Sequence, residues 1–288
     1  MAAEIVLIDV DKKKAEGEVM DLIHAAPFAQ STRVWVGDYE DCAGAAIVIL
    51  TAGANQKPGE SRTQLVEKNY EIFKSIVPEV AKHAKDAIII VSANPVDVMT
   101  WTAAKLSGFP AHRVIGSGTS LDSARFATEL ARQFGIDSTS VHAIIIGEHG
   151  DSEIPVWSLT TVAGMKLDEY SKLAGLKYGK DEAKECFERT KNAAGEIIER
   201  KGVTGYGIAS SLVRIIQAVL MDQNTVMTVS AVGKYAGVDD DIALSVCRKV
   251  NREGCKELVP LQLDADEKKG LKKSAKKMAE IIRVLRDK

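Results

Sequence analysis

Ala46-Ile-Val-Ile-Leu-Thr51 and Ala87-Ile-Ile-Ile-Val91 decide how this chain is read. Each is a near-continuous apolar run, the pattern of a strand whose two faces are both covered by helices. Between them Val66, Tyr70, Phe73, Val77 and Val80 recur at steps of four and three, which predicts a long helix that Pro78 should bend. Upstream, Glu4–Asp9 (EIVLID) and Arg33–Val36 read as further strands, separated by a helical stretch from Lys12 to His24. Strand and helix in alternation predict the α/β class, with a doubly wound and mostly parallel sheet.

The pattern changes after Gly116. A helix from Ser120 to Phe134 leads to a strand over Val141–Ile146. Polar helical sequence covers Lys180 to Lys201, followed by a mostly apolar helix from Tyr206 to Met221. Strands are expected around Val226–Val232 and Ile242–Val246. A closing helix places Leu271, Ala275, Met278, Ile282 and Leu285 on one face. We therefore expect two domains, residues 1–116 with the doubly wound sheet and residues 117–288 of α+β type.

Composition narrows the class of function. The chain has 288 residues, 45% of them apolar and 27% charged, which suits a soluble protein with a substantial core. A formal net charge of −2 argues against a dedicated nucleic-acid or membrane-surface binder. No apolar run approaches the ~20 residues needed to span a bilayer. The Met-Ala-Ala-Glu start has no basic region followed by an apolar core, so no secretory leader is expected. Cys42, Cys186, Cys247 and Cys255 lack paired spacing; they read as reduced thiols of a cytoplasmic protein, with no metal site.

Four segments carry chemistry. Ile146-Gly-Glu-His149-Gly-Asp-Ser152 sets a histidine just beyond a strand, between glycines that let a ligand approach. Asp122 and Arg125 stand three apart near a helix start and share a face. Taken alone they read as a dipole-favoured carboxylate with an incidental ion pair. As a functional pair, the aspartate would orient His149 and the arginine would grip a carboxylate in a bidentate fork. The polar loop Thr51-Ala-Gly-Ala-Asn-Gln56-Lys-Pro-Gly-Glu-Ser-Arg62 follows one buried strand, and Ser92-Ala-Asn94-Pro-Val-Asp97 follows the other. Loops at the C-terminal ends of such strands are where an α/β sheet builds its site. Asp9, at a strand end before a helix, reads locally as a cap; in dinucleotide folds it would bind the adenosine ribose.

TAGANQKPGESR, SANPVD, GSGTSLDSAR, IGEHGDS and KGVTGYGIA resemble, in this order, the L-lactate and malate dehydrogenase family, and the likeness runs from Glu4 to the closing helix. The resemblance implies an NAD-dependent oxidoreductase that exchanges a hydride with a 2-hydroxy acid. It implies that His149 passes a proton to the ketone oxygen of pyruvate, that Asp122 orients it, and that Arg125 binds the substrate carboxylate. Arg62 would polarise the carbonyl, with Asn94 as a second donor, and Thr204 would line the substrate pocket. Gln56 stands where family malate dehydrogenases place arginine; a neutral residue leaves a second substrate carboxylate unpaired, which favours pyruvate over oxaloacetate. Cofactor contacts implied are Asp9, Lys14, Tyr39, Gly53, Ala54, Ser92, Asn94 and Ser117. The family also implies a homo-oligomer, a tetramer, acting in cytoplasmic glycolysis and fermentation. The nearest alternative is malate or another 2-hydroxy acid as substrate.

Three departures stand out. A G-x-G-x-x-G turn is expected ~20 residues before Asp9, and only eight residues precede it. Gly205-Tyr-Gly207 has Ser210 at the third glycine position and follows no strand, so it is no substitute. In a sheet of order 3-2-1-4-5-6 the missing strand is the central one. Its loss would leave EIVLID and AAIVILT facing a gap, with unpaired backbone groups costing ~1–3 kcal/mol each. The reading is thus of a shortened product or a start assigned at an internal methionine, with a non-catalytic fragment as the rival. Second, Ala127 replaces an arginine that pairs with His142 to bind fructose 1,6-bisphosphate in activated relatives, which predicts weak or no activation. Third, Cys247 and Arg248 stand where relatives have proline and a small apolar residue, leaving the packing of that strand open.

Overall fold

The computed structural model describes residues 2–28, 31–54, 59 and 62–286. In chain order the first elements are β1 (Glu4–Leu7), α1 (Lys12–Ala25), β2 (Arg33–Val36), β3 (Ile47–Leu50), α2 (Arg62–His83), β4 (Ile88–Val91), α3 (Val96–Ser107) and β5 (Val114–Gly116). Then follow α4 (Ser120–Phe134), β6 (Val141–His142), β7 (Ile145–Gly147), β8 (Glu153–Pro155), β9 (Thr161–Val162), β10 (Met165–Lys166) and α5 (Leu167–Leu173). The chain closes with α6 (Lys180–Lys201), α7 (Tyr206–Leu220), β11 (Thr225–Gly233), β12 (Ile242–Asn251), β13 (Gly254–Leu258) and α8 (Ala265–Arg286).

One sheet dominates, in the order β3-β4-β5-β11-β12-β7-β8, with β13 also on β12. β3, β4 and β5 are parallel; from β11 onward the neighbours are antiparallel. The apolar run of β4 explains its central place. Ile89 and Val91 face a cluster with Phe73 and Val77 of α2 and Met99 of α3, while Ile88 and Ile90 face Ile215 and Val219 of α7. Burying such a side chain contributes about 1.5–3 kcal/mol. The closing helix behaves as its periodicity requires: Ala275, Met278, Ile282 and Leu285 are all buried.

β1 and β2 form a separate parallel pair. Among the described residues β1 pairs only with β2 and β3 only with β4, so each keeps one unpaired edge. Ile5 and Ile49 are exposed on these strands. No helix is long and apolar enough to cross a membrane among the described residues.

The long helix predicted around Val66–Val80 is present as α2, with Pro78 inside it. Two expectations change. The single strand expected over Val141–Ile146 divides into β6 and β7, which join different sheets. Just past the break, the Ile145 N–H donates to the Ser123 hydroxyl of α4 at 2.9 Å. α3 was not anticipated from the sequence, and its residues Val96 to Ala103 are all buried. A helix covered on every side needs no polar face, so amphipathic periodicity is weak.

Candidate active site

β7 delivers His149. It ends at Gly147, whose φ of +97° is a left-handed conformation. A Cβ there would lie 2.5 Å from Ile154 Cδ1 and 3.0 Å from Ser274 Oγ, so only glycine fits. The next two main-chain N–H groups are pinned by distant side chains. Glu148 N donates to Ser274 Oγ of α8 at 2.8 Å, and His149 N donates to Asp97 Oδ2 of α3 at 2.7 Å. Asp97 is itself held, accepting from the hydroxyls of Ser230 and Ser245 at 2.6 and 3.0 Å.

α4 delivers the partner. Asp122 lies in its first turn, buried, and its Oδ2 is 2.6 Å from His149 Nδ1. The other oxygen accepts from Arg125 Nη1 at 2.9 Å, so the i, i+3 spacing joins all three groups. The helix start is fixed by Thr119, whose buried hydroxyl donates to Ile145 O at 2.5 Å.

Charge follows from this geometry. Burial acts to raise the Asp122 carboxyl, but the charge and hydrogen bonds of His149 and Arg125 win and hold it below the ordinary range. For His149 burial acts to lower the value. The adjacent Asp122 carboxylate, with help from Asp97 and Glu153, outweighs it and pushes the imidazole up to about 9. The ring is therefore an imidazolium at neutral pH, with Nδ1–H donated to Asp122 and Nε2–H available for transfer.

Most of the other predicted residues follow the C-terminal ends of parallel strands, in two separate sheets. Asp9 follows β1 and is exposed; its Oδ1 accepts from Asp11 N at 3.0 Å. The cap of α1 is Asp11, which accepts from Lys14 N at 3.1 Å. Asp9 is thus not the cap that local reading favoured, and Lys14 extends an exposed side chain from the first turn. Tyr39 follows β2, half-buried against the α2 cluster. Gly53 and Ala54 follow β3, Ser92 and Asn94 follow β4, and buried Ser117 follows β5. One carboxylate, two serine hydroxyls and exposed peptide groups at these strand ends have the chemistry to meet the hydroxyls and amides of a dinucleotide. The donor set fits NAD.

Thr204 lies half-buried just ahead of α7. The start of α7 packs on the start of α4, since a Cβ at Gly207 would lie 3.1 Å from Leu121. This sets Thr204 on the Asp122 side of the molecule. Gln56 and the Arg62 side chain lie outside the described residues; the Arg62 backbone opens α2.

Three residues at the site escaped the sequence reading. Asp97 looks like a first-turn acid of a helix, and only its three acceptor bonds reveal its role. Asn69 is fully buried and ties two loops together: Oδ1 accepts from Ala54 N at 2.7 Å, while Nδ2 donates to Ala54 O at 3.3 Å and Asn94 O at 2.7 Å. An asparagine on the apolar face of the Val66–Val80 repeat was the available signal. Glu153, buried at the start of β8, carried none.

The chain is similar to known proteins along nearly its whole length. Residues 1–116 match the family model described as lactate/malate dehydrogenase, NAD binding domain, and residues 119–287 match the alpha/beta C-terminal domain of the same family. The chain is 50% identical to a probable L-lactate dehydrogenase of Schizosaccharomyces pombe over 282 residues, covering 98% of this chain and 85% of that protein. L-lactate dehydrogenase 1 of Clostridium acetobutylicum is 48% identical over 284 residues, covering 98% and 90%. A crystal structure of the minor L-lactate dehydrogenase of Enterococcus mundtii superimposes with a TM-score of 0.94 at 40% identity, covering 100% of this chain and 92% of that one. Fold and site thus define an NAD-dependent oxidoreductase. The chain belongs to the lactate/malate dehydrogenase family.

Proposed function

We propose that this protein interconverts pyruvate and L-lactate, with His149 as the acid–base group and Arg125 as the carboxylate anchor. The observation that carries the reading is the 2.6 Å contact between His149 Nδ1 and buried Asp122, flanked by Arg125. NAD, when bound, would supply or accept the hydride at the substrate's C2 carbon. Arg125 keeps guanidinium donors beyond the one committed to Asp122 and grips the substrate carboxylate. His149 Nε2 donates its proton to the carbonyl oxygen as negative charge develops there, and takes it back from lactate in reverse. Asp122 fixes the ring and stabilises its charged form. Arg62 and Asn94 polarise the carbonyl, Gln56 leaves room for a methyl group and Thr204 borders the pocket. Asp9, Lys14, Tyr39, Gly53, Ala54, Ser92, Asn94 and Ser117 hold the cofactor, so residues 1–116 serve the dinucleotide and residues 117–288 the substrate.

The protein works as a homo-oligomer, a tetramer, in cytoplasmic fermentation. Exposed Met20 and Ile23 on α1, Ile197 and Ile198 on α6 and Val213 on α7 support subunit association. The deciding experiment is steady-state oxidation of NADH with pyruvate by wild-type protein and His149→Gln. Turnover that collapses in the variant while NADH still quenches tryptophan fluorescence is expected; undiminished turnover would overturn the assignment.

A further inference from the structure

A third carboxyl group stands beside the His149–Asp122 couple. Glu153 begins β8, directly opposite Gly147 in the β7–β8 ladder, and only 9% of it is exposed. An oxygen of Glu153, an oxygen of Asp122 and a ring nitrogen of His149 lie within 4.8 Å of one another. Asp122 has two partners, His149 and Arg125. The Glu153 carboxyl accepts no hydrogen bond among the described residues. A second anion placed there would be buried, unbonded and next to the charge of Asp122, and such carboxyl pairs keep a proton on one member.

The charged groups facing Glu153 are Asp122 and Arg125 of α4, His149 of the β7–β8 turn and Lys191 of α6. His149 faces Asp97 of α3 as well. Burial and then the Asp122 charge push Glu153 up to about 8, against the pull of His149, Lys191 and Arg125.

We infer that Glu153 is a proton-holding positioning residue: neutral in neutral solution, it ionises in alkaline solution while His149 is still an imidazolium and then delays the loss of the His149 proton. The Glu153 proton leaves to solvent, and the new carboxylate stabilises the ring's charge through space. Glu153 touches no substrate; it acts through the imidazole. The inference rests on the assignment of His149 as the acid–base group.

The test is kcat/KM of Glu153→Gln in both directions between about pH 6 and pH 10. The amide matches the neutral acid in shape, so below about pH 7 the variant should stay within about twofold of wild type. Above that, the alkaline limb of pyruvate reduction and the acid limb of lactate oxidation should both move to lower pH by about half a unit or more. Limbs that stay in place, or a uniform loss at every pH, would overturn the inference. For a variant that fails to fold, carbon-13 NMR of the wild-type holoenzyme gives the same decision. A glutamate carboxyl titrating near the raised value supports the inference, and titration of Glu153 in the ordinary carboxylate range rejects it. His149→Gln separates the two readings. If it retains turnover the acid–base assignment fails, whereas unmoved limbs in Glu153→Gln with an inactive His149→Gln reject only the role of Glu153.

Discussion

The carboxylate of Asp97 accepts the main-chain N–H of His149 at 2.7 Å, although 52 residues of chain separate them. α3 thereby holds the loop that carries His149, and the hydroxyls of Ser230 and Ser245 fix Asp97 from β11 and β12.

Removing this acceptor should be costly in a particular way. Asp97→Ala leaves a buried N–H and two hydroxyls without their partner, at ~1–3 kcal/mol for each unsatisfied group. Urea unfolding should show a loss of roughly 3 kcal/mol or more. Asp97→Asn keeps an acceptor for His149 and should lose less than half as much. Equal losses would show that the hydrogen bonds are not what matters.

The His149–Asp122 pair makes stability depend on pH in a defined sense. His149 is raised from 6.5 to about 9, so the folded state binds its proton more tightly than the unfolded chain does. Its stabilisation is complete below the unfolded value and is lost as pH rises through about 9. Asp122 is lowered, so its contribution is present above the ordinary aspartate range and is lost only as pH falls through the depressed value. Wild type should exceed His149→Gln by on the order of 2 kcal/mol near neutrality, with the gap closing in alkaline solution. Parallel stability curves for the two proteins would contradict the pairing.

Substrate choice should turn on Gln56. Gln56→Arg supplies a cation for a second carboxylate and confronts the pyruvate methyl group with an unpaired charge. The ratio of kcat/KM for oxaloacetate over pyruvate should rise by about 100-fold or more, equivalent to roughly 3 kcal/mol. A change below tenfold would place the discriminating contact elsewhere.

Fructose 1,6-bisphosphate should have little effect. His142 is exposed on β6, but Ala127 is packed against the apolar cluster between α4 and α6 and offers no cation. The KM for pyruvate should change by less than about twofold on adding the sugar phosphate, below the usual range of allosteric coupling. A several-fold fall would reveal another anion site.

Arg248 now has a structural account. It is buried on β12 and donates to Cys255 O at 2.9 Å and to the Tyr235 hydroxyl at 2.7 Å, which itself donates to Ala231 O at 2.7 Å. No carboxylate pairs with it among the described residues. Tyr235→Phe removes one of its few acceptors and should destabilise the fold by about 1–3 kcal/mol, while Arg248→Met in that background should recover much of the loss. Additive losses in the double variant would rule out this coupling.

The alternation from β1 to β4 with α1 and α2, the closing helix and the residues of the His149, Asp122 and Arg125 segments could all be read from sequence. Each leaves a local trace: an apolar run, a period of three and four, or a charged pair on one helix face. α3 left no trace because burial on all sides erases periodicity, and the break between β6 and β7 shows only in their pairing with different sheets. Asp97, Asn69 and Glu153 became meaningful only once the sheet order brought β7 beside β12 and β4 beside β3. Residue types determined which chemistry was available. Tertiary structure decided the burial and the neighbours, and these set which carboxyl stays charged and how tightly the imidazole holds its proton.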